Sequence, residues 1–255
     1  MFPIALEFGA FSIRFYGVMA ALGFIIAVYL MDFNRKYSTL NRDQCSTMLL
    51  IALVCGVAGA RIFYFVQFYE QFRGEWWRII RIDQGGLVFY GGFLLAFAAV
   101  IIYALKCKAD PVRVLDALAP AMAAAHGFGR IGCFLNGCCY GRPTEMWWGI
   151  RPVKDSVLEA VAGNLPLHPV QLVEAGENFL LCILYCYLLR HTKRGVTVSC
   201  FFIFYGVLRF FNEMMRGDNV LYFKLTPAQW IGIALVPTGI IALICFLRNG
   251  KQQNN

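Results

Sequence analysis

The sequence predicts an all-α membrane protein: a bundle of about seven transmembrane helices with a small extracytoplasmic cap. Three observations lead there. Charged residues make up only 15% of the chain, against about 25% in a soluble domain. Apolar residues make up 59% and fall in blocks about 20 residues long, the length of a helix that crosses a hydrocarbon core of about 30 Å. Lysine and arginine gather in alternate short links, as they do on the cytoplasmic side of membrane proteins.

The blocks run Arg14–Phe33, Ser46–Phe68, Gly86–Leu105, Val112–Asn136, Val170–Leu189, Val196–Met215 and Pro227–Phe246. Residues 1–255 read as one polytopic domain. The cap comes mainly from 137–169, a link holding Pro143, Trp147, Trp148, Pro152 and Pro166. Met1–Ser12 shows no basic start and no small-residue cleavage site, so the first span is expected to serve as the insertion signal. The first, third and fifth links carry Arg35, Lys36 and Arg42; Lys106, Lys108 and Arg113; and Arg190, Lys193 and Arg194. The tail carries Arg248 and Lys251. These are expected to be cytoplasmic, with the N-terminus and the cap outside and the C-terminus inside. The formal net charge of +8 reflects this bias, and nucleic acid is not expected as a partner.

Ionisable side chains inside apolar spans are costly and mark functional sites by default. Arg61, Asp116, Arg130, Glu174, Glu177, Arg209 and Glu213 are such residues. In the fourth span His126, Arg130 and Cys133 share a helical face at i, i+4 and i+7, among Gly127, Gly129 and Gly132. Helix packing accounts for the glycines but not for an arginine among them. Its planar fork suits a phosphate or carboxylate. In the sixth span Arg209, Glu213 and Arg216 share a face, which leaves net positive charge for an anion. In the fifth, Pro169 suits a first helical position, and Gln171 and Glu174 share a face. Tyr16 opens the first span as a belt aromatic or as a hydroxyl directed at a head group. Glycines bracket Tyr90 at the start of the third. The buried polar set therefore points to an anionic phospholipid.

Several other readings are set aside. Gly127-Phe-Gly129-Arg-Ile-Gly132 matches a dinucleotide fingerprint, which requires a preceding strand and a βαβ unit. It sits in an apolar span instead. There is no Gly-x-Ser-x-Gly elbow. Of the ten cysteines, most are scattered and read as small hydrophobes. Cys133, Cys138 and Cys139 cluster, but C-x₄-C-C is not a common zinc spacing. No metal and no cofactor are expected. A thiol oxidoreductase built on Cys138 and Cys139 lacks C-x-x-C.

The motifs resemble those of the bacterial prolipoprotein diacylglyceryl transferases along nearly the whole chain. The matching segments, in order, are Phe-Tyr16-Gly, Gly-Gly-x-x-x-Tyr90-Gly-Gly, and Gly129-Arg130-x-Gly-x-Phe-x-Asn136-Gly-x-x-x-Gly141-Arg142. They continue with His168-Pro-x-Gln171-x-x-Glu174 and Tyr205-Gly-x-x-Arg209-x-x-x-Glu213. The resemblance implies transfer of the diacylglyceryl group of phosphatidylglycerol to the thiol of a lipobox cysteine in a preprolipoprotein. It also implies action at the outer face of the bacterial cytoplasmic (inner) membrane. Arg130, Arg209, Glu213, His126 and Tyr90 are then the catalytic candidates. Arg130, Tyr16, Asn136, Gly141, Gln171 and Glu174 are the candidates for binding phosphatidylglycerol. The chain departs from the family pattern at Tyr90, Cys133 and Cys138, where many members carry histidine, asparagine and glutamate. The departure at Tyr90 leaves the base open, with His126 or the arginine field as replacements. Two further alternatives are a phospholipid-binding or transport protein without chemistry, and a paralogue with a different acceptor.

Overall fold

The computed structural model describes residues 4–8, 11–81, 86, 88–154, 156–217 and 222–252. In chain order the elements are β1 (Ile4–Phe8), β2 (Phe11–Arg14), α1 (Phe15–Asn34), α2 (Arg42–Gln67), α3 (Phe89–Lys106), α4 (Pro111–Asn136), the short α5 (Val157–Ala162), α6 (Val170–His191), α7 (Val196–Met215) and α8 (Pro227–Gln252). Every apolar block is a helix. Among the described residues five helices, α1, α2, α6, α7 and α8, are long and apolar enough to cross a membrane, and α3 is a shorter apolar helix. At 26 residues α4 is long enough, but its interior carries Asp116, His126 and Arg130. The antiparallel hairpin of β1 and β2 adds to the helices and was not anticipated from hydropathy. Gly85, part of one sequence motif, lies outside the described residues.

The chain divides into two compact units, Arg35–Val114 and a larger one of Met1–Asn34 with Leu115–Asn255. In the smaller unit α2 begins before its apolar block because Asn41 and Gln44 form a reciprocal cap. The Gln44 N–H donates to Asn41 Oδ1 (2.8 Å) and the Asn41 N–H to Gln44 Oε1 (3.0 Å), which satisfies two N–H groups that a helix start leaves open. Helices α2 and α3 approach closely at glycines. A β-carbon on Gly59 would stand 2.5 Å from the Gly91 carbonyl, and one on Gly92 2.7 Å from the Gly56 carbonyl. Small residues at such crossings are how helices pack in lipid, where no hydrophobic force draws them together.

In the larger unit α4 is lined with buried alanines. Ala119 and Ala123 form a core with the fully buried Tyr185 of α6, flanked by Leu181, Leu188 and Phe201. Asp116 reaches from α4 to the start of α7, where its carboxylate accepts from the N–H groups of Gly195 (2.6 Å) and Val198 (2.8 Å). A carboxylate at a helix N-terminus satisfies open donors and opposes the helix dipole. Asp116 is therefore a structural cap. Outer faces are apolar: Ile25, Tyr29 and Phe33, each one turn apart on α1, are more than half exposed. Such a stripe is an anomaly in water and ordinary in contact with lipid tails.

The cap is stitched by backbone pairing. Pro143 and Ile150 both bridge Leu167, and Gly141 bridges Arg216 at the end of α7. The Arg142 N–H donates to the Met215 carbonyl (2.8 Å) and the Gly217 N–H to that of Tyr140 (3.0 Å). Residues 140–142 are thereby held beside the end of α7.

Candidate functional site

Three helices of the larger unit deliver charge to one place. Arg130 of α4 meets Glu174 of α6 (Nε–Oε2, 2.7 Å). The other oxygen of Glu174 meets Arg209 of α7 (Nη1–Oε1, 3.3 Å). Arg209 in turn holds Glu213 (Nη2–Oε2, 2.8 Å), and Glu213 reaches Arg216 (3.7 Å). The result is an alternating row of arginine, glutamate, arginine, glutamate and arginine, with side chains only 3–12% exposed. Helical spacing makes the pairs within α7, since i+3 and i+4 residues are neighbours. Glu174 makes the connection between helices. Within this row three guanidiniums face two carboxylates, an excess of one positive charge. Removing one member of a buried pair leaves its partner's charge uncompensated, at about 3–5 kcal/mol.

His126, one turn before Arg130, accepts through Nε2 from Arg130 Nε (3.1 Å). The row borders a crevice lined by His126, Glu174, Glu177, Asn178, Leu181, Tyr205, Leu208, Arg209 and Asn212. Asn212 donates to Glu177 (2.5 Å), and Asn178 donates to the Glu174 carbonyl (2.7 Å). Asn178 and Asn212 were not singled out from the sequence. Asn178 lies one turn after Glu174 and Asn212 nearly one turn after Arg209, and that helical spacing was the available signal.

The remaining candidates lie around this row. Gln171, fully buried, donates to the Cys138 carbonyl (2.8 Å), so it fixes the loop after α4. Asn136 is the last residue of that helix. Gly141 sits where a β-carbon would collide with the His168 carbonyl and stand 2.6 Å from the His168 Cβ, so the loop can pass there only with glycine. His168 itself accepts from Trp148 Nε1 (3.1 Å). Tyr16, half-exposed, lies alongside Gly132 and within electrostatic reach of Arg130 and of the Cys133, Cys138 and Cys139 sulfurs. Tyr90 belongs to the smaller unit, in the first turn of α3. The structure therefore brings His126, Arg130, Glu174, Arg209, Glu213 and Arg216 into one connected set.

The guanidiniums of this buried row have the chemistry to hold a phosphate or carboxylate. The family model described as "Prolipoprotein diacylglyceryl transferase" matches residues 3–245. A phosphatidylglycerol–prolipoprotein diacylglyceryl transferase of Clostridium tetani is 33% identical, covering 94% of this chain and 96% of that protein. One from Clostridium perfringens, numbered 1, is 31% identical over 99% and 97%. One from Clostridium botulinum strain Langeland is 32% identical over 98% and 97%. The chain is a multi-pass membrane protein and belongs to the prolipoprotein diacylglyceryl transferase family.

Proposed function

We propose that this protein moves the diacylglyceryl group of phosphatidylglycerol onto the lipobox cysteine thiol of a preprolipoprotein, forming a thioether and releasing glycerol phosphate. The observation that carries the reading is the row from Arg130 to Arg216, with three guanidiniums against two carboxylates. The relatives' names state the same donor lipid and the same class of acceptor. The positive-inside bias of the links supports placement in the cytoplasmic (inner) membrane, with the N-terminus and the cap outside and the C-terminus cytoplasmic.

The chemistry follows from the charges. The thiol sulfur attacks the glyceryl carbon that bears the phosphate ester, and the carbon–oxygen bond breaks with its electron pair left on the phosphate. Arg130 and Arg209 hold that phosphate and stabilise the charge that grows on it, which preorganised donors in a dry site do well. Glu174 and Glu213 orient the arginines. Asn136, Gly141, Gln171 and Tyr16 shape the head-group pocket around them. A free thiol has a pKa near 8.5 and is only a few per cent thiolate at pH 7, so it needs activation. Tyr90 and His126 are the side chains proposed as base. In this geometry His126 supports Arg130, and a role as base requires that bond to open.

The test is a transfer assay. Purified protein is given phosphatidylglycerol and a lipobox peptide, while glycerol phosphate and peptide mass are followed. Release should require the peptide and fall about 10²–10³-fold in Arg130→Ala. Lipid binding with no release would replace the transferase by a lipid-binding or transport protein, or by a paralogue with another acceptor.

A further inference from the structure

The loop that leaves α4 gathers three thiols. Gly137, at φ +75°, ends the helix in the left-handed conformation that glycine adopts without penalty. Its N–H donates to the Phe134 carbonyl (3.2 Å), and the next N–H, from Cys138, donates to that of Cys133 (3.1 Å). This double bond pattern closes a helix C-terminus and sets the residue after the glycine against the residue three before the cap. Cys138 is therefore laid on Cys133, and its thiol donates to the same carbonyl (3.7 Å). In most such caps the contact is merely apolar, and that would account for two of the cysteines. It does not account for Cys139, which also takes a left-handed backbone (φ +58°), unusual for a residue with a β-carbon. With that turn all three sulfurs lie within 4.8 Å of one another. The three cysteines are free thiols, and none is fully buried.

Sequence spacing alone did not mark a metal site, and the geometry now supplies what spacing lacked. A zinc–thiolate bond of about 2.3 Å separates the sulfurs of a tetrahedral site by about 3.8 Å, so ordinary rotation about the Cys χ1 bonds closes the set. At Cys139 the thiolate is favoured by the neighbouring Cys133 and Cys138 thiols and, more weakly, by Arg216 and Arg130, against the cost of burial. Three thiolates and a divalent ion sum to one negative charge, beside the guanidiniums of Arg216 and Arg130. Three protein ligands with one position open is also the pattern of zinc sites that do chemistry, whereas structural sites are closed by four.

We propose that Cys133, Cys138 and Cys139 form a three-thiolate site for one zinc ion whose open position takes the thiol of the acceptor. This rests on the transferase reading above. On binding, the acceptor thiol gives up its proton to solvent, since a thiol that coordinates zinc is deprotonated. Its sulfur lone pair then attacks the glyceryl carbon. The carbon–oxygen bond breaks, and glycerol phosphate leaves with the electron pair, held by Arg130, and exchanges protons with solvent. The metal does not change oxidation state. Arg130, which acts on the Cys133 and Cys139 sulfurs, stands beside both nucleophile and leaving group.

The experiment uses the full-length protein in detergent, reduced, stripped with a chelator and titrated with Co²⁺ as a coloured substitute for zinc. One equivalent should bind and give a thiolate-to-cobalt charge-transfer band. A lipobox peptide should raise that band by about a third, as three thiolates become four, and the same peptide with serine for its cysteine should leave it unchanged. Cys139→Ser should weaken Co²⁺ binding about 100-fold or more while remaining monodisperse and still binding phosphatidylglycerol. No band, no response to the cysteine peptide, or unweakened Co²⁺ binding by Cys139→Ser overturns the proposal. Glycerol phosphate release at the full rate from stripped protein, or from Cys133→Ser/Cys138→Ser/Cys139→Ser, overturns it too, and leaves the transferase reading standing. If the band responds to the peptide but zinc-loaded protein releases nothing, the transferase reading fails and the thiolate site stands.

Discussion

Two buried arginines in apolar spans, Arg61 and Arg130, look alike in sequence and are used differently. Arg61, in the smaller unit, sends its guanidinium to backbone carbonyls: Ile79 (2.8 Å), Gly86 (2.9 Å), Arg78 (2.6 Å) and Arg81 (2.9 Å). Its charge also lies over the rings of Tyr64 and Phe72. Arg130, in the larger unit, spends its Nε on a carboxylate and an imidazole. Carbonyls of a folded loop hold Arg61 in place. The carboxylates along the row from Arg130 are shared between arginines, and an arriving phosphate can share those arginines in turn. Burial and charge identify both residues as unusual. The kind of partner separates the clamp from the site.

That contrast can be broken or sharpened by measurement, beginning with the largest effect. Glu174→Ala leaves Arg130 and Arg209 without their common counter-charge and should cost about 3–5 kcal/mol of stability, read as unfolding in detergent. A cost below about 1 kcal/mol, as for an exposed pair, would mean that the row is solvated. Arg130→Ala should slow transfer by the equivalent of about 3–4 kcal/mol with a smaller loss of stability. Arg61→Ala should show the reverse, losing about 2–3 kcal/mol of stability with turnover per folded molecule close to the parent's. A large selective loss of turnover in that variant would make Arg61 part of the site. The smallest effect belongs to Asp116→Ala, which removes the cap of α7 at about 1–2 kcal/mol. It should loosen amide protection at the start of that helix and leave the rate unchanged.

Much of the fold was readable because hydropathy and helix length obey the same constraint. The bounds of α7, Val196–Met215, coincide with its apolar block, and α1 differs by a residue. Ends set by polar chemistry were less readable. The start of α2 is moved by the Asn41–Gln44 cap, and α8 runs on into the polar tail. The hairpin ahead of α1 is too short to leave a periodic signal. Within the site, pairs on one helix could be read from spacing, as for His126 with Arg130 and Arg209 with Glu213. The bond from Glu174 to two other helices could not, because periodicity assigns a residue to a face and says nothing of what that face meets. Cys133, Cys138 and Cys139 were visible as a cluster in sequence. Their convergence depended on the left-handed turns at Gly137 and Cys139, which spacing does not encode.

The row from Arg130 to Arg216 also bears on how the chain is made. An arginine at the centre of a span opposes membrane insertion by about 2.5–3.5 kcal/mol even by the most lenient scale. Here Glu174 on α6 and Arg209 on α7 belong to consecutive helices joined by residues 192–195, and they pair across that short hairpin. The two helices can thus enter the bilayer as a pre-neutralised couple, with Glu213 following one turn behind. Arg130 on α4 is synthesised before either acid. Arg130 lies six residues from the end of α4, so its side chain can snorkel toward water until α6 brings its carboxylate. The carboxylate that completes its pairing is supplied only once α6 follows.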